Sequence, residues 1–587
     1  MGSEQEEART PVEELLCGIW AEVLGVEGVG IHDNFFELGG HSLLATQVSS
    51  RVNSAFGVEI PVGSLFDALT VHELAQRVES EIRAGKGVVA PPIVAVGRDR
   101  ELPLSFAQQR LWFLDQLEPG TSLYNIFRGV RLDGVLDMRA LEAALNEIIG
   151  RHEALRTAFD AIDGRPRQLI AVARPVALKI EELSELPVDE REAEVLRLVH
   201  EESVRPFDLA QGPLLRVRLL RLSDEEHVML ITMHHIIGDG WSIALLVREL
   251  ATLYRAFHLG TSPTLPQLPV QYADYAVWQR QWLQGAVLDK HVSFWKEQLA
   301  GAPPVLDLPT DHRRPEAQSV EGERHAAVLN EELSKLLESF SRREGVTLFM
   351  TLLAAFKILL HYLTKRDDIV IGTDVANRNH LETENVIGFF INQLVLRTNL
   401  SGDPTFHDLL KSVRKAAWAA YTHQELPFDR LVEALNPERS LKYSPLFQVK
   451  FIFQDTGRVG DDKQSGQTEL SELRLSGLPV EGINAKFDLT LNANRRPDAL
   501  VYWIEYKTSL FNASTIARFA EQFEAILSHI VSRPASRLSE IEEALAESDR
   551  QRRARQEKEL KEVRLNKFRG LTRKPTAAAP QPGGDAR

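Results

Sequence analysis

Between Pro11 and Ile82 apolar residues recur at helical spacing, in Leu15, Ile19 and Val23 and again in Leu43, Leu44, Val48 and Val52. Turn residues separate these runs, which predicts a small helical unit. The stretch Ala84 to Arg100 breaks the pattern with Gly85, Gly87, Pro91, Pro92 and Gly97, and reads as a linker. From Glu101 to Ala546 short apolar runs alternate with amphipathic segments. Val228 to Ile237 and Ile369 to Thr373 read as strands, and Ile243 to Phe257 reads as a helix. Such alternation predicts α/β layering, over a length that suits two lobes. Leu348 to Leu363 is the most apolar long segment, but it includes Lys357 and His361 and falls short of the ~20 apolar residues that span a bilayer. It is expected to be a buried helix. Arg550 to Arg569 is charged and helix-prone, and Thr576 to Arg587 is rich in Ala, Pro and Gly; the last part is expected to be disordered.

Composition changes this picture little. The chain has 587 residues, 44% hydrophobic and 26% charged, as an ordinary globular protein of more than one core does. Its 83 acidic and 68 basic side chains leave a net charge of −15, which argues against a nucleic-acid partner. The single cysteine, Cys17, excludes an internal disulfide and fits a reducing cytoplasm. Met1 to Thr10 is acidic and polar and carries no secretory pattern. A cytoplasmic monomer without a membrane partner is therefore expected.

Two segments carry chemistry. In the first, Asp33-Asn34-Phe35-Phe36-Glu37-Leu38-Gly39-Gly40-His41-Ser42-Leu43-Leu44, the two glycines allow a tight turn and Ser42 opens an amphipathic helix. A structural reading makes Ser42 a helix N-cap. A chemical reading uses its exposed hydroxyl, at the positive end of the helix dipole, to receive a phosphate.

In the second, Met233-His234-His235-Ile236-Ile237-Gly238-Asp239-Gly240-Trp241-Ser242 follows an apolar run. If the strand persists, His234 and His235 point to opposite faces, so one lines a site and the other packs or hydrogen-bonds. Adjacent strand positions suit a shared zinc poorly, and no metal is expected. Asp239, between Gly238 and Gly240 in a turn before a helix, is expected to orient or to pair with a cation.

The first string closely resembles the carrier-protein signature of nonribosomal peptide synthetases, supported by Val58-Glu59-Ile60-Pro61, Leu65-Phe66 and Thr70-Val71. The second resembles the His-His-x-x-x-Asp-Gly signature of condensation domains and chloramphenicol acetyltransferase-like acyltransferases. Ordered matches extend that likeness over the large region: Leu104 to Trp112, Arg151 to Phe159, Tyr272 to Trp278, Ile387 to Asn392 and His423 to Asp429.

The resemblance implies a peptidyl carrier–condensation didomain. A four-helix-bundle carrier would occupy 1–83 and a linker 84–100. The condensation domain would form two acyltransferase-like lobes in a V, over 101–278 and 279–546, with a tail at 547–587; the polar stretch Gly457 to Gly482 reads either as a latch between the lobes or as an ordinary surface loop. It implies 4'-phosphopantetheine on Ser42, and a role for His235 as base or positioning group in amide formation. Beside these, Asp239 is expected to pair with Arg378, and backbone N–H groups near Gly240 to steady an oxyanion. Arg151 and Arg156 are five residues apart, so on one helix they would point in different directions; they are expected to hold structure, as are Trp241 and Ser242. Asn392 reads equally as a strand-end cap or as a polar group of a cavity.

The order Asp239-Gly240-Trp241-Ser242 departs from the Asp-Gly-Val-Ser-Trp of epimerisation domains, and the histidine pair separates the chain from heterocyclisation domains. An L-amino acyl or glycyl donor is expected. The implied partners are a downstream acceptor carrier, an upstream adenylation domain and a phosphopantetheinyl transferase. No adenylation domain is apparent, and the start in a carrier reads as an excised fragment. A silent recruitment module and an acyltransferase using coenzyme A esters are the alternatives; His235 weighs against the first and Ser42 against the second.

Overall fold

The computed structural model describes residues 10–554, apart from 59, 85–89, 439, 441, 456–467, 471, 472, 479–482, 497, 498 and 553. The charged tail from 555 and the disorder expected at its end lie outside the described residues.

Four helices, Pro11–Leu24, Ser42–Phe56, Ser64–Asp67 and Val71–Ala84, form the carrier. Thr10 caps the first of them, accepting from the Glu13 N–H at 3.1 Å, while Glu13 accepts the Thr10 N–H in return. Leu16, Trp20, Phe35, Val48, Phe66 and Leu74 make its buried centre.

The first large lobe is built on a six-stranded sheet. Its order runs Thr468–Leu470, Leu473–Gly477, Asn125–Asp133, Glu226–His234, Leu215–Arg221, Lys179–Glu182. The apolar run beginning at Val228 reads continuously because the strand is covered on both faces. Val228 and Leu230 pack with Val195 and Leu198 of helix Val188–Val204. Met229, Ile231 and Met233 pack on the other side with Leu141 and Leu246, from helices Met138–Arg151 and Gly240–His258.

The second lobe carries a mixed seven-stranded sheet. Its order runs Asn392–Asn399, Asp368–Val375, Val449–Asp455, Leu489–Arg495, Leu500–Lys507, Glu321–Val328, Ile483–Asn484. Helix Leu348–Thr364 is buried against it, as expected, and no described single helix is long and apolar enough to cross a membrane. Lys357, fully enclosed in that helix, donates to the carbonyls of Ile369 (3.2 Å) and Leu396 (2.8 Å).

Two connections join the lobes. Helix Tyr272–Trp282 is buried along most of its length and lies between them. Strand Leu473–Gly477 leaves the second lobe's chain and pairs antiparallel with Asn125–Asp133, with Leu475 opposite Leu132. Of the two readings of Gly457 to Gly482, the described part crosses between the lobes, while residues 457–467, 471, 472 and 479–482 lie outside the described residues. The linker is less free than its composition implied. Trp278 donates to the Pro91 carbonyl at 2.7 Å, and Val96 N–H and Arg98 both bind the buried Asp274 carboxylate.

The carrier rests on the second lobe. A Cβ on Gly63 would fall 1.0 Å from Nε1 of Trp418, so only glycine permits this approach. Arg414 donates to the Phe66 carbonyl, and Arg51 lies 3.6 Å from Glu384.

Candidate active site

The strand expected to run through Ile237 stops at His234. The His234 Nδ1 accepts the N–H of Ile236 at 3.2 Å, turning the chain into a short 3-10 helix over His235–Ile237. The two imidazoles are therefore separated by this turn rather than by strand alternation. His234 is 2% exposed, packed by Tyr124 and Phe207, and its burial pushes its pKa down to about 3. It is a structural cap.

His235 is partly exposed. Its backbone N–H donates to the Tyr124 carbonyl at 2.8 Å, and its Nδ1 lies 3.0 Å from the Gly238 carbonyl. A carbonyl only accepts, so Nδ1 carries the proton and Nε2 keeps its lone pair. Among the described residues Nε2 has no hydrogen-bond partner. Burial, then the nearby Lys486 ammonium, hold its pKa well below the ordinary value, so the ring is neutral at physiological pH.

Asp239 is 2% exposed and saturated with donors. It caps helix Gly240–His258, its Oδ1 accepting from Ser242 N–H (2.9 Å) and Ser242 hydroxyl (2.8 Å). Its Oδ2 accepts from the N–H groups of Phe390 (3.0 Å) and Ile391 (3.3 Å). Arg378 stands 3.5 Å away, at the long end of ion-pair range, so the expected contact is present but secondary to the four shorter bonds. The guanidinium also donates to the carbonyls of Thr383 (2.5 Å) and Val386 (2.7 Å) and lies over the Phe390 ring at 4.0 Å. Ser242 completes the clasp through Gly388, whose N–H it accepts at 3.1 Å and whose carbonyl it reaches at 2.9 Å. Trp241 donates to the Glu384 carbonyl at 2.9 Å. Asp239, Ser242 and Trp241 thus fasten the first lobe's turn to the second lobe. Gly240 opens the helix, is exposed, and a Cβ there would meet nothing within 4 Å.

Arg151 ends helix Met138–Arg151, whereas Arg156 sits in a separate 3-10 turn, Glu153–Arg156. The two elements are divided at His152, which lies 2.9 Å from Glu249. Both arginines bind structure: Arg151 pairs with Glu249 at 3.3 Å, and Arg156 donates to the Ala171 carbonyl at 2.5 Å. Asn392 begins its strand and clasps a loop. Its amide donates to the carbonyls of Gln424 (2.7 Å) and Leu426 (2.8 Å) and its oxygen accepts from Phe428 N–H (3.0 Å), so of its two readings the strand-end one applies.

On the carrier, Gly39 takes φ 93°, and a Cβ on Gly40 would come within 2.5 Å of the Phe35 carbonyl. This tight turn places His41, with no side-chain cap bond, at the N-cap of the 15-residue helix and Ser42 at its first position. The N-cap reading of Ser42 is thereby corrected. A helix start whose N-cap side chain makes no cap bond suits a phosphate at Ser42. A cavity of about 650 Å³ runs from Gly39, His41 and Leu43 to Asp239, Trp241 and Arg378. Among the described residues no cluster of His, Cys, Asp and Glu is arranged to hold a metal ion.

Residues 98–552 match the family described as Condensation domain. The chain belongs to that family. Ahead of it, residues 14–78 match the Phosphopantetheine attachment site description, so the protein is a carrier–condensation didomain bearing 4'-phosphopantetheine on a serine. It is similar to one of the linear gramicidin synthase proteins of Brevibacillus parabrevis, 49% identical over 91% of this chain and 7% of that protein. The dimodular nonribosomal peptide synthase of Bacillus subtilis (strain 168) is 40% identical over 91% of this chain and 22% of its own length. The didomain therefore spans less than a quarter of either relative. Among solved structures, the X-domain from teicoplanin biosynthesis superposes with TM-score 0.68 at 30% identity, covering 76% of this chain and 99% of that one.

Several groups of the condensation domain's site had no motif to announce them. Tyr124 holds His235 through its backbone carbonyl, which any residue supplies. Glu384 likewise accepts through its backbone, and Trp418 meets the carrier only in the folded molecule.

Proposed function

We propose that the didomain joins an acyl group held by its own carrier to the amine of an aminoacyl group on a downstream carrier, forming an amide. His235, with Nδ1 held by the Gly238 carbonyl and no partner on Nε2 among the described residues, is the observation that carries this reading. Phosphopantetheine on Ser42 would supply a thiol-ended arm that holds the donor as a thioester and brings it through the cavity between carrier and motif turn.

The chain's residues do the rest. Nε2 of His235 accepts a hydrogen bond from the incoming amine, orienting it or taking its proton. The clasp of Asp239, Ser242 and Arg378 fixes the turn that bears this ring. The docked carrier, held by Trp418 and Arg414, turns a bimolecular encounter into a local one. Gly240 is placed beside this turn, where its N–H is an oxyanion donor in the proposal. The retained His235 and the order Asp239-Gly240-Trp241-Ser242 favour an L-configured or glycyl donor. In this reading an adenylation domain, a phosphopantetheinyl transferase and an acceptor carrier are the partners in the cytoplasm. The carrier is assigned to 1–83 and the condensation lobes to 101–278 and 279–546.

The test loads the carrier with an aminoacyl coenzyme A analogue by a phosphopantetheinyl transferase, checks intact mass, and adds an acceptor carrier. Loading is expected at Ser42 and is lost in Ser42→Ala. Dipeptide is expected from wild type, and His235→Ala is expected to lose about 10²–10⁴-fold in rate. Loading without product on every acceptor tried would overturn the proposal.

A further inference from the structure

The chain after the crossover strand is anchored at each end. Ala485 N–H donates to the Val320 carbonyl at 2.8 Å and Asp488 N–H to the Gln448 carbonyl at 2.9 Å. The buried Asp488 carboxylate takes a fork of bonds from Arg314 (2.9 and 2.5 Å), and Phe487 stacks on Phe447 at 5.2 Å. Between these anchors Lys486 reaches from the second lobe to the first. Its Nζ stands 4.6 Å from the centre of the Tyr124 ring. Tyr124 is the residue whose carbonyl holds the His235 N–H, and its ring lies 6.3 Å from that of His234.

The other cations nearby are matched. Lys450 pairs with Asp374 at 2.7 Å and Arg110 with Asp429 at 3.2 Å. Among the described residues no carboxylate lies within ion-pair distance of Lys486; its ammonium has only a ring face. Burial and the charges of Lys450 and Arg110 push its pKa down to about 8, against the more distant carboxylates of Asp374 and Glu505. The groups facing it are therefore Lys450, Arg110, Asp374, Glu505, Tyr124 and the two histidines, with Asp429 behind Arg110. A partly buried cation with no carboxylate against it is unfavourable to the fold, which points to a use.

In the condensation step the amine nitrogen attacks the donor carbonyl carbon. The C–N bond forms, the carbonyl electron pair moves to oxygen, and collapse breaks the C–S bond. The departing sulfur is balanced by the proton that nitrogen sheds. Attack requires the amine, and the ring that receives its hydrogen bond, to be neutral. A fixed positive charge disfavours protonation of both and offsets charge on the carbonyl oxygen.

We propose that Lys486 is a positioning residue for this step: held against Tyr124 across the cleft, its ammonium keeps His235 and the attacking amine neutral. The inference rests on the condensation activity proposed above. It is tested by single-turnover rates of the loaded didomain with an acceptor carrier, from about pH 5.5 to about pH 9.5, for wild type, Lys486→Met, Lys486→Gln and Lys486→Arg. Losing the charge is expected to move the acid limb of the profile up by about half to one unit, slowing the reaction about three- to ten-fold at pH values below the midpoint of that limb. Lys486→Arg is expected to keep the wild-type acid limb and to delay the alkaline decline that accompanies loss of the Lys486 charge. Lys486→Gln replaces Lys486→Met if the latter fails to load at Ser42 or melts early. An acid limb in the neutral variants that superimposes on wild type, or one in Lys486→Arg displaced as far as theirs, overturns the inference. An absence of product in wild type itself would instead overturn the condensation reading.

Discussion

Two helix starts in this molecule use the same local chemistry for opposite purposes. Helix Ser42–Phe56 comes after Gly39 and Gly40, and helix Gly240–His258 after Gly238 and Asp239. At the second, Asp239 takes the Ser242 N–H of its own helix and the Phe390 and Ile391 N–H groups of the facing lobe, so its buried carboxylate is spent on the joint although Gly240 itself is exposed. At the first, the N-cap His41 makes no side-chain cap bond, and the helix end faces the cavity mouth through His41 and Leu43. A capped start is a structural joint. A start without a side-chain cap is a place for an anion brought from outside. Glycine before a helix does not distinguish them; the capping residue and the surface opposite it do.

The comparison breaks most visibly by removing one residue from each start. Asp239→Ala is expected to cost about 3–5 kcal/mol in chemical unfolding, because it leaves Arg378 and three buried N–H groups without their acceptor. Ser42→Ala is expected to leave unfolding within about 0.5 kcal/mol of wild type while abolishing arm attachment by intact mass. Equal stability losses in the two variants would erase the distinction.

The next effect concerns delivery. Trp418→Ala removes the indole against Gly63 and is expected to slow condensation from the carrier-held donor by about ten-fold, as a weakened dock would. A small soluble thioester donor, which does not need the dock, should react at the wild-type rate. If both donors slow alike, the indole acts through the lobe rather than through the carrier.

A third effect is a pH dependence. His234 is neutral when folded, with a pKa pushed to about 3, so below its unfolded value near 6.5 the unfolded chain binds the extra proton. Stability is therefore fully present above about pH 6.5 and declines as pH falls, by up to about 1.4 kcal/mol per unit for this one group. His234→Asn, whose carbonyl can accept the Ile236 N–H, is expected to make the decline shallower by that share. Denaturant midpoints at about pH 7 and pH 5 would measure it, and an unchanged slope would contradict a buried neutral His234.

Much of this was legible in the chain itself. The burial of Val228 to Met233 on both faces of their strand agrees with an apolar run too short for a membrane and flanked by turn residues. The carrier turn and the His-His-x-x-x-Asp-Gly segment were recognisable because each compresses a turn, a helix start and a reactive side chain into a few adjacent residues. Local sequence also announced the helices through their apolar spacing, while their caps, Thr10 and Asp239, were seen only in the structure. The 3-10 turn was not legible, because it depends on one imidazole nitrogen accepting a specific N–H. Nor was the division of Arg151 and Arg156 between two elements.

Sequence by itself singled out the candidate side chains and, roughly, where each lobe's strands and helices fall. Tertiary structure decided which histidine is neutral with a free nitrogen, that Asp239 is spent on the opposite lobe, that Gly63 meets Trp418, and that Lys486 stands over Tyr124. The reason is physical. Propensity, capping and periodicity act over one or two turns of chain, whereas burial, backbone carbonyl partners and the sum of nearby charges depend on residues hundreds of positions apart.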